Sequence, residues 1–304
     1  MSSLKPDTTN IATLISRRFK PEQIPDLTGR VALVTGGSAG IGFHAAAALA
    51  QHNAKVLICS ANPEHGTNAE KEMNESLKQT GSTGSVQWTQ VDFGNLKQVD
   101  AYAKRVAQEQ DRLDILLLNA AIGQAPFGLT ADGLERHFKV DDIDSPSVGY
   151  SLKSVTVCIK GGDQPGHRWV KTVGMIHLAR QLAQRKLSGL PKPILAMSVH
   201  PGTVDTDVQK TWSESYGVLG KVLEGLSRGL GKSAEEGAGA SLWAATCTDI
   251  NGSNWEEFQG SFFMEPYGKP NQSESKIASD QTVGENFWKL CVQLTEELLG
   301  ERLE

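Results

Sequence analysis

The chain has 304 residues, of which 39% are hydrophobic and 21% charged, with a formal net charge of −5. That length bounds one large α/β domain with a well-buried core, and the composition excludes a disordered or fibrous chain. The negative balance argues against a general nucleic-acid surface or an anionic-membrane surface, so neither is expected as a partner.

Residues 1–27 read as a polar N-terminal extension, a surface arm packed loosely on the domain and ended by Pro21 and Pro25. Its apolar run, "IATLI" before "SRRFK", is too short for a signal-peptide core or a membrane span. Cys59, Cys158, Cys247 and Cys291 are scattered without a C-x-x-C pair. This suits a reducing compartment, so a cytoplasmic protein with neither a metal centre nor a disulfide framework is expected.

"RVALVTGG" (30–37) is a short apolar run, rich in β-branched residues, that ends in glycines. "IGFHAAAALAQHN" (41–53) has the alanine content of a packed helix, and "KVLIC" (55–59) completes a βαβ unit. A helix over 66–79, a strand over 85–92, a helix over 96–110 and the apolar strand "LDILLLNAA" (113–121) follow. Beyond residue 141 the pattern weakens; "SVTVCI" (154–159) has strand composition, but glycines, Asp163 and Pro165 follow at once. Order returns with a helix over about 169–186 and the strand "PILAMSVHPG" (193–202). "SAEEGAGASLWAATC" (233–247) opens with Ser233 and Glu236 at capping-box spacing. The last helix, 285–299, puts Phe287, Leu290, Leu294 and Leu298 on one face, expected to be core or subunit interface.

Strands alternating with helices predict a Rossmann-type, doubly wound parallel sheet with helices on both faces. No linker or internal repeat divides residues 28–304, which read as a single nucleotide-binding domain.

The strongest motif is "TGGSAGIG" (35–42), a turn from strand to helix that holds Gly36, Ser38, Gly40 and Gly42. Gly36 permits the tight turn, while Gly40 and Gly42 remove side chains where a pyrophosphate approaches the backbone. The helix beginning there points N–H groups and its positive dipole end at the anion. Asp92 ends the third strand, where a carboxylate accepts from an adenine amino group. Asn119 ends the fourth, beside the place of a nicotinamide ribose.

Together with "VDFGN", "LNAAIG", "DGLERHF", "HPGTVDTD", "KSAEEGA" and "GSFFMEPYG", this turn makes the chain resemble a short-chain dehydrogenase/reductase, in particular the retinol-dehydrogenase-like fungal members. The resemblance implies cofactor contacts at Ile41, Asp92, Asn119, Val204 and Thr206, and a substrate lid over about 203–230. It also implies an NAD(P)-dependent oxidoreductase acting on a carbonyl or secondary alcohol of a small apolar molecule. Fungal members often serve secondary-metabolite pathways, and the family often forms homo-oligomers. At the end of the second strand, "ICSANPEHG" offers no carboxylate to hold a ribose 2′-hydroxyl until Glu64. The arginine that NADP-preferring relatives often carry is Ala61 here, but Ser60 and Asn62 can donate to a 2′-phosphate. NADP is therefore expected over NAD.

The catalytic end departs from the family. Members use a tyrosine as proton donor and a lysine one helical turn later that binds the ribose and lowers the phenol's pKa from about 10. None of Tyr102, Tyr150, Tyr216 and Tyr267 has a lysine four residues on. Counting back from Lys171 places His167 at the tyrosine position; anchoring on "IHLARQLAQ" instead places Arg168 there and Thr172 at the lysine. Lys171 is the candidate ribose-binding lysine, Asp141 stands where an asparagine usually follows "F-x-V", and the fifth-strand serine has no clear counterpart. All these departures fall within 141–172, an interval that reads as short by about a strand and its loop. Three readings stay open: a working enzyme, a catalytically impaired NADP(H)-binding pseudoenzyme, and the product of a defective gene with a block replaced.

Overall fold

The first strand, Val31–Thr35 (β1), is buried along its whole length and has a parallel neighbour on each side. The computed structural model describes residues 19–122, 126–143, 156–160, 179–180, 195–202, 204, 232–251, 253–264 and 275–301. Within them lie α1 (Gly40–Gln51), β2 (Lys55–Ser60), α2 (Pro63–Thr80), β3 (Ser85–Gln90), α3 (Leu96–Glu109) and β4 (Ile115–Leu118). Beyond them come β5 (Thr156–Lys160), β6 (Leu195–His200), α4 (Ala234–Thr246), β7 (Phe262–Met264) and α5 (Gln281–Leu299). The seven strands form one sheet in the order β3-β2-β1-β4-β5-β6-β7, with every pairing parallel.

Parallel strands covered on both sides must be apolar on both faces, and β1, β2 and β4 are. Ala32, Val34, Val56, Ile58, Ile115 and Leu117 face a core closed by α1, α2 and α4. Leu33, Leu57, Leu116 and Leu118 face the other, closed by α3 and by Trp288 of α5. Each fully buried leucine on such a sheet contributes about 1.5–3 kcal/mol. The doubly wound architecture expected from the sequence is the one observed.

At the edge of β1 remote from the glycine turn, Asp114 fastens two strand starts together. Its Oδ2 accepts from the Val31 N–H at 2.9 Å, its own N–H donates to the Val31 carbonyl at 2.8 Å, and Arg30 and Arg112 pair with the carboxylate. Burial opposes ionisation of this group, but the hydrogen bonds from Arg112, Val31 and Arg30 outweigh it and hold the carboxyl below its ordinary range.

Several elements differ from expectation. Residues 156–160 lie between β4 and β6 as a full parallel member, so the fifth strand is present although its flanks lack turn and helix periodicity. Cross-strand pairing to two apolar neighbours decides this slot, not local pattern. α2 starts at Pro63 because Asn62 caps it, accepting from the N–H groups of Glu64 and His65. α5 starts at Gln281, capped by Asp280, and buries Gly284, Trp288, Cys291 and Thr295. On the face expected to be core or subunit interface, Leu290 is 46% exposed, and Phe287, Leu294 and Leu298 are half-buried. The larger indole of Trp288 sets which side packs. The end of the N-terminal extension is not loose either, since Ile24 and Leu27 are buried in the core. The predicted helix over 169–186 lies outside the described residues except for Ala179 and Arg180, which are helical.

Candidate coenzyme site

The carboxyl ends of β1, β2, β3, β4 and β6 converge where the strand order reverses between β1 and β4, the place where open parallel sheets bind ligands. Thr35 closes β1 and holds this corner. Its hydroxyl accepts from the N–H groups of Asn119 at 3.0 Å and Ala120 at 2.9 Å. Thr35 was not singled out from the sequence; its place before the glycines was the available signal.

The glycine turn is built by close approach. Gly36 has φ +64, its N–H donates to the Cys59 carbonyl at 2.8 Å, and a β-carbon there would lie 2.9 Å from Ala120 Cα. Gly37 is pressed on β2, where a β-carbon would meet Ile58 at 2.7 Å. Gly40 has φ +54, conformational freedom that glycine alone gives without strain. Gly42 corrects the sequence reasoning. A β-carbon there would come within 2.3 Å of the Gly36 carbonyl and 2.4 Å of Asn119 Nδ2. Its bareness is spent on packing helix against turn, while Gly36 and Gly40 shape the open side.

α1 begins without a side-chain cap, since Ala39 is its N-cap, and no acid lies in its first turn. The first helical bond runs from the Phe43 N–H to the Ala39 carbonyl. The N–H groups of Gly40, Ile41 and Gly42 therefore have no partner among the described residues, at the positive end of a 12-residue helix. Asn119 Oδ1 is buried at the same corner without a hydrogen-bond partner. Uncapped donors and an orphaned acceptor are what a bound dinucleotide diphosphate and ribose would satisfy, and the chain's own atoms fit that group.

The other expected contacts are placed as follows. Ser38 is half-buried in the turn. Asp92 is exposed at the end of β3, with one carboxylate oxygen accepting from the Gly94 N–H at 2.8 Å. Ile41 is 3% and Val204 7% exposed; both converge on Gly237 of α4, so their side chains are core and only backbone is left for a ligand. Val204 also bridges to Lys232, whose Nζ donates to the Pro201 carbonyl at 3.2 Å. This joins the two ends of the expected lid. Thr206, Lys171, His167 and the rest of the lid lie outside the described residues.

At the catalytic side, Asp141 is buried in a π-turn over Lys139–Ile143 and accepts from the Ile122 N–H at 2.9 Å. Tyr102 is the one tyrosine among the described residues. Burial, reinforced by the Cys59 thiol, pushes its phenol well above the ordinary value, the opposite of what proton transfer at neutral pH requires. Trp88, also missed in the sequence, donates from Nε1 to Ser60 Oγ at 3.0 Å.

Residues 30–148 match the family model for short chain dehydrogenases. Among curated proteins, the chain is 29% identical over 299 residues to the short chain dehydrogenase/reductase dpfgH of Gibberella zeae, covering 88% of this chain and 83% of that one. It is 27% identical over 298 residues to retinol dehydrogenase 12 of Mus musculus, covering 90% and 87%. A solved short chain dehydrogenase from Burkholderia cenocepacia, in complex with NADP, superposes with a TM-score of 0.61 at 24% identity, covering 79% and 97%. With the parallel sheet, the glycine turn and the ordered strand-end residues, these likenesses make the chain similar to the short-chain dehydrogenases/reductases, with residues 30–148 carrying that family's pattern.

Proposed function

We propose that the protein is an NADP-dependent oxidoreductase that interconverts a carbonyl and a secondary alcohol on a small apolar molecule, in the setting of fungal secondary metabolism. The observation that carries this is the uncapped first turn of α1 behind Gly36 and Gly40, set at the sheet's reversal point. A bound nicotinamide coenzyme supplies the hydride. The chain's part is to hold the diphosphate on the N–H groups of residues 40–42, the adenine at Asp92 and the ribose near Asn119, with Ser38, Ile41, Val204 and Thr206 completing the contacts. Lys171 is assigned to the nicotinamide ribose. The NADP complex of the Burkholderia relative and the lack of a carboxylate at Ser60–Asn62 support NADP over NAD. Oxidation of NADPH by the purified protein with any of a panel of ketones and aldehydes is the expected result. No oxidation with any of them contradicts turnover.

A second reading has a specific observation behind it: no tyrosine in the chain precedes a lysine by four residues, and Tyr102 is buried with its phenol raised. In that reading the protein binds NADP(H) without turning it over, and saturable NADPH binding with a silent substrate panel distinguishes it. No described helix is long and apolar enough to cross a membrane. A cytoplasmic setting and a homo-oligomer belong to the same proposal, supported by four cysteines scattered without a C-x-x-C pair and by the family resemblance respectively. Cell fractionation and sedimentation test them.

A further inference from the structure

The segment Ser60–Asn62, where β2 gives way to α2, has had its acceptors consumed from within. The Ser60 carbonyl accepts from the Val91 N–H at 3.0 Å, and Ser60 Oγ accepts from Trp88 Nε1 at 3.0 Å. The Ala61 carbonyl accepts from Gln90 Nε2 at 3.1 Å. The Asn62 carbonyl accepts from the Gly66 N–H at 3.0 Å, and its Oδ1 accepts from Glu64 and His65. Donors are what remain: the Ser60 hydroxyl hydrogen, the Asn62 side-chain NH₂ and the backbone N–H groups of Ala61 and Asn62 have no acceptor among the described residues.

Trp88 is fixed for this task by Gly66. A β-carbon on residue 66 would lie 2.0 Å from Trp88 Cε2, so the indole rests directly on the helix backbone. An indole N–H only donates, whereas a hydroxyl has one hydrogen and two lone pairs. The contact therefore takes a Ser60 lone pair and turns the hydrogen elsewhere. Ser60 is 9% exposed and is the last residue of β2.

We infer that Trp88 is a positioning residue that makes Ser60 a donor toward the 2′ position of the coenzyme ribose, and that with Gln90 it selects the 2′-phosphate over the 2′-hydroxyl. A phosphate is acceptor-only, and charge-assisted bonds to it are roughly twice as strong as neutral ones. This inference rests on the coenzyme reading above.

The test is calorimetric titration of the full chain with NADPH and with NADH, for wild type, Trp88→Phe, Ser60→Ala and the double variant. Phenylalanine keeps a ring on Gly66 and removes the N–H. Trp88→Phe is expected to weaken NADPH about 10- to 100-fold, the worth of one oriented charge-assisted bond, with NADH affinity unchanged. Ser60→Ala is expected to do the same, and the double variant to lose nothing further. Equal weakening of both coenzymes by Trp88→Phe, or no change in either, overturns the inference. If Trp88→Phe does not fold, Ser60→Ala decides alone by the same criterion. Wild type that binds neither coenzyme overturns the coenzyme reading itself, and is recognised before any substitution is made.

Discussion

The side-chain amide of Asn119 stands 2.4 Å from where a β-carbon on residue 42 would lie, and donates from there to the carbonyls of Thr35 at 3.1 Å and Gly36 at 3.3 Å. A helix start, a glycine turn and the end of a neighbouring strand thus share one space. Gly42→Ala has no room to relax, because its nearest neighbours are a backbone carbonyl and a hydrogen-bonded amide. The substitution is expected to destabilise by about 1–3 kcal/mol, the usual range for overpacking, and to abolish NADPH binding. Urea unfolding and calorimetry measure the two effects.

Asn119→Ala removes that amide while leaving the turn glycines intact. Two backbone carbonyls lose a donor in a half-buried corner, which costs about 1–3 kcal/mol. Its effect on coenzyme affinity is expected to exceed that of Asp92→Asn, whose carboxylate is exposed and partly occupied by the Gly94 N–H. Equal affinities for the two variants would place the ribose elsewhere.

Asp114→Asn addresses the opposite ends of the same strands. Removing the charge loses bonds to two half-exposed arginines and weakens the tie to Val31, an expected loss of about 1–2 kcal/mol near pH 7. The sign of the pH dependence follows from the depressed folded-state pKa. The contribution is fully present above the unfolded value of about 3.9 and disappears as pH falls through the folded value. Wild type and variant should therefore differ by a constant amount above about pH 5 and converge in acid, as read by denaturant midpoints across pH.

Ser233→Ala tests the start of α4. Ser233 Oγ accepts from the Glu236 N–H at 3.0 Å, and Glu236 returns a carboxylate to the Ser233 N–H at 2.9 Å, the reciprocal cap expected from their spacing. Loss of a cap costs about 1 kcal/mol, and thermal melting reads it. Because Lys232, one residue earlier, bridges to Val204, a proposed coenzyme contact, NADPH affinity should fall with it.

What was legible in the sequence is what local chemistry determines. Glycine placement in "TGGSAGIG" marks the turn, apolar runs mark four buried strands, and Ser233 with Glu236 marks a cap. What was illegible depends on partners distant in sequence. The inward side of α5 is decided by where Trp288 meets the sheet, β5 by its two flanking strands, and the role of Gly42 by Asn119, 77 residues away. The role of Trp88 depends on Gly66 and Ser60, neither of which lies near it in the sequence.

The central claim is that a dinucleotide diphosphate rests on the first turn of α1, and amide hydrogen exchange with and without NADPH reads it at the atoms concerned. The N–H groups of Gly40, Ile41 and Gly42 are expected to exchange markedly more slowly when NADPH is present, while those of α5 are unchanged. Unaltered exchange across residues 36–42 at saturating NADPH and NADH would contradict the account.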